Sequence, residues 1–339
     1  MIGDGTGYTA HWRLFRVDRD TWADSSEFEG LESAHIVSSN SDLMQTGEFT
    51  VTTPVGVGFE NGYYRLSMAA DGQRVDVATL LCYSDDGNNN RGRVTRNVTG
   101  KSVLEPANTK KLYSGEFAPS GCDGAEFAAE MLRDCIAAPV EVDGSFTVES
   151  HVVFDNGSTV LQAVLMVLDA GNFVMQITGG GVVHIKPKPT TPALVLDRDS
   201  MRLLSPETGY RNETDVKNRY IAIEGASVAV AQNNDPLSVT SLASTGYLRD
   251  EYDQSPVRVN GETLQKYAER KLAELSVIKT QYTYTRDYYP DVYPNDIVRC
   301  SLPLHGLDGD MRITSCDIQC GAGIRINETA ETEVATWKP

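Results

Sequence analysis

The sequence predicts a mainly β chain of more than one domain, with an α+β insertion and about three helices. Three observations carry that expectation. Short runs of alternating apolar and polar residues, parted by clusters of Gly, Asp and Asn, recur from residue 11 to about residue 100. The period turns helical beyond residue 105, and strand-like runs return after a connector holding Pro187, Pro189 and Pro192.

In chain order, HWRLFRVDRDTWAD at 11–24 reads as an initial strand around Trp12, Leu14, Phe15 and Val17. Further strands are expected at 33–38, 48–53, 63–68, 75–83 and 93–99, and DDGNNNRG at 85–92 reads as an exposed hairpin tip. Several short strands so spaced argue for an antiparallel barrel or a sandwich. Asp123 with Glu126 three residues on forms a capping box, and Ala128, Met131, Leu132, Cys135 and Ile136 recur at helical spacing, which predicts a helix over 123–137. A strand pair is expected across 139–154. Ser158 then caps a second helix with Leu161, Val164, Leu165 and Leu168 on one face, and Gly171 stands where a left-handed C-cap is wanted.

NFVMQITGGGVVHIKPKP at 172–189 joins two apolar runs through three glycines. Without the Lys-Ser/Thr of a phosphate loop, and leading into no helix, it reads as a hairpin. Past the connector, 219–232 reads as two strands, 241–260 as loop, and Leu264, Tyr267, Ala268, Lys271, Leu272 and Leu275 as a third amphipathic helix over 262–276. TQYTYTRDYY at 280–289 is a strand. A Pro294-Asn295-Asp296 turn leads into a strand at 297–302, GLDGD at 306–310 reverses it, and strands at 311–319 and 322–334 complete a β unit needing no cofactor. Domain boundaries are expected near 105 and 190.

Composition excludes several classes. The 339 residues carry 30 Lys plus Arg against 47 Asp plus Glu, a formal charge of −17, and the only basic clusters, RGRVTR at 91–96 and KNR at 217–219, are too short to track a phosphate backbone. An acidic wall would instead repel one. The N-terminus lacks a signal peptide's basic start and apolar core, and no window approaches a membrane span, so folding in a cytoplasm is expected. The six cysteines, Cys82, Cys122, Cys135, Cys300, Cys316 and Cys320, form no disulfide framework. A zinc site of Cys300, Cys316, Cys320 and His305 is the sharper reading of the last three. Absent a CxxC pair and within strand-like runs, they read instead as small buried hydrophobes, and no metal, cofactor or catalytic residue is assigned.

An acid and nucleophile pair for glycoside cleavage is the best enzymatic candidate, drawn from Asp250, Glu251 and Asp253 or from Asp85 and Asp86. Both groups read as solvated loop charges. No G-x-S-x-G elbow occurs, and His11, His35, His151, His184 and His305 form no triad signature. The tyrosines of TQYTYTRDYYPDVY at 280–293 fit a sticky binding surface, an intersubunit seam or a strand face.

The succession of helix, strand, Pro-Asn-Asp turn, strand, Gly-Asp hairpin, Arg-Ile-Thr-Ser strand and final strand resembles the C-terminal part of phage baseplate and tail hub proteins, which are similar to the hub portion of type VI secretion spikes. NFVMQITGGGVVHIKP resembles that family's inserted domain, and LESAHIVSSNSDLMQTGEFTV its first barrel. Asn295 stands where the family has glycine, a substitution Asn tolerates best. The resemblance implies two tube-like β-barrel domains, 1–105 and 191–339, around a smaller inserted α+β domain at 106–190. It implies a homotrimeric virion tail protein, not an enzyme, adapting a sixfold tail tube or distal tail protein to a threefold tip, spike or fibre protein. DNA would pass through its lumen, and there would be no membrane insertion. A distal tail ring protein and a receptor- or carbohydrate-binding tail component are the alternatives. No lysozyme or peptidase segment follows, which speaks against a lytic role.

Overall fold

The computed structural model describes residues 11–40, 45–70, 73–84, 87–90, 92–196, 201–203, 210–212, 215–288, 291–302, 307–320 and 324–339. The first part of the chain is all strand: β1 (His11–Val17), β2 (Asp24–Phe28), β3 (Leu31–Ser39), β4 (Gln45–Pro54), β5 (Gly62–Ala70), β6 (Gln73–Ser84), β7 (Asn88–Asn90) and β8 (Arg93–Ser102). A mixed segment follows: α1 (Glu105–Thr109), β9 (Phe117–Ala118), α2 (Gly124–Arg133), β10 (Val140–Val142), β11 (Val152–Val153), α3 (Val160–Ala170), β12 (Phe173–Ile177) and β13 (Val183–Pro187). Next come β14 (Pro192–Leu196), β15 (Met201–Leu203), β16 (Tyr210–Asn212), β17 (Arg219–Glu224), β18 (Ser227–Gln232), α4 (Leu242–Thr245), β19 (Asp250–Asp253) and α5 (Leu264–Leu275). The chain ends with β20 (Val277–Asp287), β21 (Ile297–Leu302), β22 (Leu307–Cys320) and β23 (Ile324–Ala335).

Strands from both ends of the sequence join in one 15-stranded sheet, ordered β15-β20-β23-β22-β3-β4-β8-β6-β5-β1-β2. The mainly β architecture is as the sequence predicts, but closed barrels are not: the sheet ends at β2 on one side and β15 on the other. The β2 edge is short and polar, DSSEF, which suits a strand left without a partner. The halves meet where β22 pairs antiparallel with β3, from Ser315 opposite Ser39 to Gln319 opposite His35.

One buried cluster runs beneath this seam and takes in Ile36, Phe49, Leu66 and Leu80 from the early strands with Tyr284, Val298, Ile313 and Ile318 from the late ones. Ile313 and Ile318 differ in parity, and a register shift between Ile313 and Ser315 is what turns both inward. The same interior holds a charged pair. Arg286 and Glu328 are both fully buried, with Arg286 Nε donating to Glu328 Oε2 at 2.9 Å and the Tyr284 hydroxyl donating to the same carboxylate. Burial, and then the Glu328 charge, hold the Tyr284 hydroxyl well above its ordinary pKa.

Several local expectations are corrected. Helices α1 and α4 join the three predicted, and α4 and β19 fall inside the 241–260 stretch expected as loop. A four-residue helix is too short to show periodicity; here it is fixed by the Ser241 cap and by Gly246 at φ +76. Strands β10 and β11 exist but do not pair: β10 lies parallel to β13 and β11 antiparallel to β9, a choice of partner that local sequence does not encode. Asp123 caps α2, accepting from Ala125 N at 3.0 Å, whereas Glu126 turns to Arg133, where the helix ends. Thr159, not Ser158, caps α3, in a reciprocal box with Gln162. Gly171 is right-handed at φ −79, and Asn172 at φ +57 takes the left-handed position. Leu307–Asp310 already belong to β22, opposite 299–302, so the reversal expected at 306–310 lies earlier, outside the described residues, as do Asp85, Asp86 and His305.

Removing one member of the buried pair leaves the other charge uncompensated. Glu328→Gln should cost about 3–5 kcal/mol of unfolding free energy, read as a fall in the urea midpoint; a change within experimental error would mean that the pair is not desolvated.

Candidate functional site

Two features of this architecture bear on what the chain does. One is a junction where four parts of the chain meet, and the other is a broad sheet face left exposed or half-buried among the described residues.

The junction is built from two turns. In the first, Thr178 O accepts from Gly181 N at 2.9 Å, and the glycines between β12 and β13 lie against the early sheet. Gly180 O accepts from Trp22 Nε1 at 2.9 Å and from Arg65 Nη2 at 3.1 Å, while Gly179 O accepts from the Thr79 hydroxyl at 2.9 Å. Arg65 is itself held by Asp24 at 2.8 Å. A Cβ on Gly179 would sit 1.8 Å from Asp76 O, and Gly181 has φ +76, so glycine is required for close approach at one position and for handedness at the other. The second is the Pro294-Asn295-Asp296 turn. Asn295 is left-handed at φ +76; its side chain accepts from Asn40 Nδ2 at 3.2 Å and its carbonyl from Arg312 Nη1 at 2.8 Å. Buried Asp296 accepts from Gln176 Nε2 at 2.9 Å, from Tyr293 N at 3.0 Å and from Lys186 Nζ at 3.5 Å. Burial pushes the Tyr293 hydroxyl up to about 12.

The sheet face opposite the main core divides sharply. Over β1, β5 and β6 it carries Val17, Tyr63 and Leu81, which pack into the core of the mixed segment. Over β8, β4, β3, β22, β23 and β20 it is polar: Thr285, Asn327, Asp317, Val37 and Thr46 follow one another across the strands, flanked by the row Gln319, His35, Glu48 and Thr99. All nine are exposed or half-buried. Their two carboxylates, Glu48 and Asp317, lie among hydroxyls and amides, and Asp317 bonds His35 Nε2 across the seam at 2.9 Å.

The carboxylates proposed for glycoside cleavage have structural partners instead. Asp250 takes a two-pronged contact from Arg219, at 2.8 and 2.5 Å, and Glu251 pairs with Lys217 at 3.0 Å. Asp253 accepts from the buried hydroxyls of Tyr220 at 3.0 Å and Tyr267 at 2.6 Å, both raised above the ordinary tyrosine range by burial. These three lie on strand β19 and not in a loop; Asp250 and Glu251 remain solvated, as expected, while Asp253 is tied to the two tyrosines. Of the tyrosines at 280–293, Tyr284 and Tyr288 enter the main core with Tyr282 packed on it, so they form a strand face and not an open surface; Tyr289 lies outside the described residues. His151 receives a long contact from Ser120 N, and His184 faces Glu141 at 3.4 Å. All six cysteines are free, and among the described residues no three His, Cys, Asp or Glu gather as metal ligands. No helix among them is long and apolar enough to cross a membrane.

Against known proteins, no family model and no curated sequence matches the chain. Solved structures do. A tail protein from Neisseria meningitidis superposes with a TM-score of 0.66 at 14% identity, covering 96% of this chain and 97% of that one. The 43 kDa tail protein of prophage MuSo2 from Shewanella oneidensis gives 0.59 at 14% identity, covering 94% and 97%. A component of the Escherichia coli type VI secretion system, described as structurally similar to the T4 bacteriophage tail proteins gp27 and gp5, gives 0.50 at 9% identity over 91% and 76%. The fold is that of phage tail proteins. At these identities the likeness is one of chain path, and it runs over nearly the whole chain.

Gly179→Ala should prevent the hairpin from seating on Asp76 and speed proteolysis at the 187–192 connector; an unchanged cleavage rate would show that the contact is slack. Burial pushes Cys300 to about 11 and Cys320 to about 12, so at pH 8 each is thiolate in only about one molecule in a thousand or fewer. Their reaction with a thiol reagent should be slow in the native protein, rise as pH approaches 11, and become fast on unfolding; rapid native labelling at pH 8 would contradict their burial.

Proposed function

We propose that the chain is a non-enzymatic structural subunit of a virion tail, the hub, acting as a homotrimer between the tail tube or distal tail protein and the tip, spike or fibre protein. The observation that carries this reading is the β3–β22 seam, by which one chain presents two β units joined edge to edge. Three copies would offer six such units, matching a sixfold tube while keeping threefold symmetry towards the tip. The sequence boundaries near 105 and 190 serve here as the proposed limits of the two β units and the insertion.

The hydroxyl-rich face supports a second part of the reading, that the sheet lines the passage for DNA. The nine residues at its middle include no lysine or arginine, and Lys279 towards the β20 margin is paired with Glu331 and Glu333, while the chain's −17 charge discourages adhesion elsewhere.

The deciding measurement is the mass of the purified protein by light scattering over a concentration series, with negative-stain imaging. A threefold ring with a central opening is expected. A hexamer would move the protein to the distal tail ring, and a monomer at every concentration that bound glycans would make it an adhesive tail component.

A further inference from the structure

Strand β4 turns every second residue towards the main core, and the positions so buried are Gln45, Gly47, Phe49, Val51 and Thr53. Gln45, at the start of the strand and opposite Ser38 of β3, is only 5% exposed. A long polar side chain at an interior position has to find its hydrogen bonds there. Gln45 Oε1 is buried and has no hydrogen-bond partner among the described residues.

Gln45 lines a cavity of about 30 Å³, bounded also by the end of β3, by Met175 and Ile177 of β12 and by Pro294 and Asn295 of the turn. The β12 wall is an open strand edge. In the β12–β13 ladder Lys188 N donates to Asn172 O and Thr178 N to Val182 O, so the hydrogen-bonded pairs fall at the even-numbered residues of β12. Met175 and Ile177 therefore turn their N–H and C=O groups away from β13, on the side where no described strand pairs with β12. From the turn, Asn295 accepts through Oδ1 from Asn40 Nδ2 at 3.2 Å, which leaves its Nδ2 for another acceptor.

Size and polarity together fix what fits. A water needs about 10–15 Å³ of such space and two to four polar partners, so the cavity has room for one or two waters and for no organic ligand or partner side chain. An orphaned acceptor beside unpaired donors is served at once only by a molecule that both donates and accepts. A cation would leave the N–H groups unserved, and an anion would leave Gln45 Oε1 unserved.

We propose that this cavity is a structural water site, in which an ordered water donates to Gln45 Oε1 and accepts from the outer edge of β12 at Met175 or Ile177. The direct bonds of the junction run from the mixed segment to the last β unit through Asp296, and from the glycine turn to Trp22, Arg65 and Thr79. The water supplies a link of a different kind, from β4 to β12, and a bridging water is nearly as favourable in enthalpy as a direct bond.

The test is a crystal structure of the full chain at a resolution that shows ordered solvent. A solvent peak is expected about 2.7–3.2 Å from both Gln45 Oε1 and the backbone nitrogen of Met175 or Ile177. Gln45→Met keeps the length of the side chain while removing the acceptor, and the peak should be lost in it. In solution, a cross-relaxation signal between a long-lived water and the same amide should be present in the unaltered protein and absent from the variant. Should the variant fail to fold, the peak and the signal of the unaltered protein still decide. No peak, a direct bond from a protein donor to Gln45 Oε1, or a peak ringed by several oxygens at about 2.4 Å, as a metal ion would be, each overturns the water site. None of these outcomes bears on the hub reading.

Discussion

An open strand edge presents a row of unpaired backbone donors and acceptors, and the whole architecture follows from how this chain disposes of two of them. Strand β3, near the beginning, and β22, near the end, each need a second neighbour, and each supplies the other's. The pairing spans nearly the entire sequence and fuses two β units into one sheet with a common interior. Buried charge is tolerable in that interior because Arg286, Glu328 and Tyr284 satisfy one another there.

Ladder bonds alone would leave the mixed segment hanging from the sheet by its ends. The glycine turn and the Pro294-Asn295-Asp296 turn remove that freedom, because each brings backbone groups within reach of several parts of the chain at once. Asp296 ties the mixed segment to the last β unit, and Asn295 ties that unit to the end of the first. A turn that looks local in sequence is a three-way fastening in space, and its buried carboxylate is held by partners from two parts of the chain.

The same sheet surface changes character where its cover ends. Beneath the mixed segment it is apolar, as a packed interface must be; beyond it the side chains become mostly polar, with hydroxyls and amides among charged groups. A face rich in β-branched threonine keeps strand propensity while remaining wettable. That combination suits a rigid sheet face in contact with solvent.

Local grammar was legible in the unfolded chain: the alternating strands, the three longer helices, the glycine hairpin, the left-handed Asn295 and the absence of a basic track. These rest on periods and backbone preferences that a few neighbouring residues express on their own. Nothing in the string of residues dictated that β10 pairs with β13 and not with β11, that the sheet stays open, or that Asp253 holds two tyrosines instead of facing solvent. Glu328 on its strand looks like any charged residue, and only its register opposite Tyr284 reveals a buried pair. Partner choice, register and burial are set by contacts between residues tens to hundreds of positions apart, and those came into view only when the chain was folded.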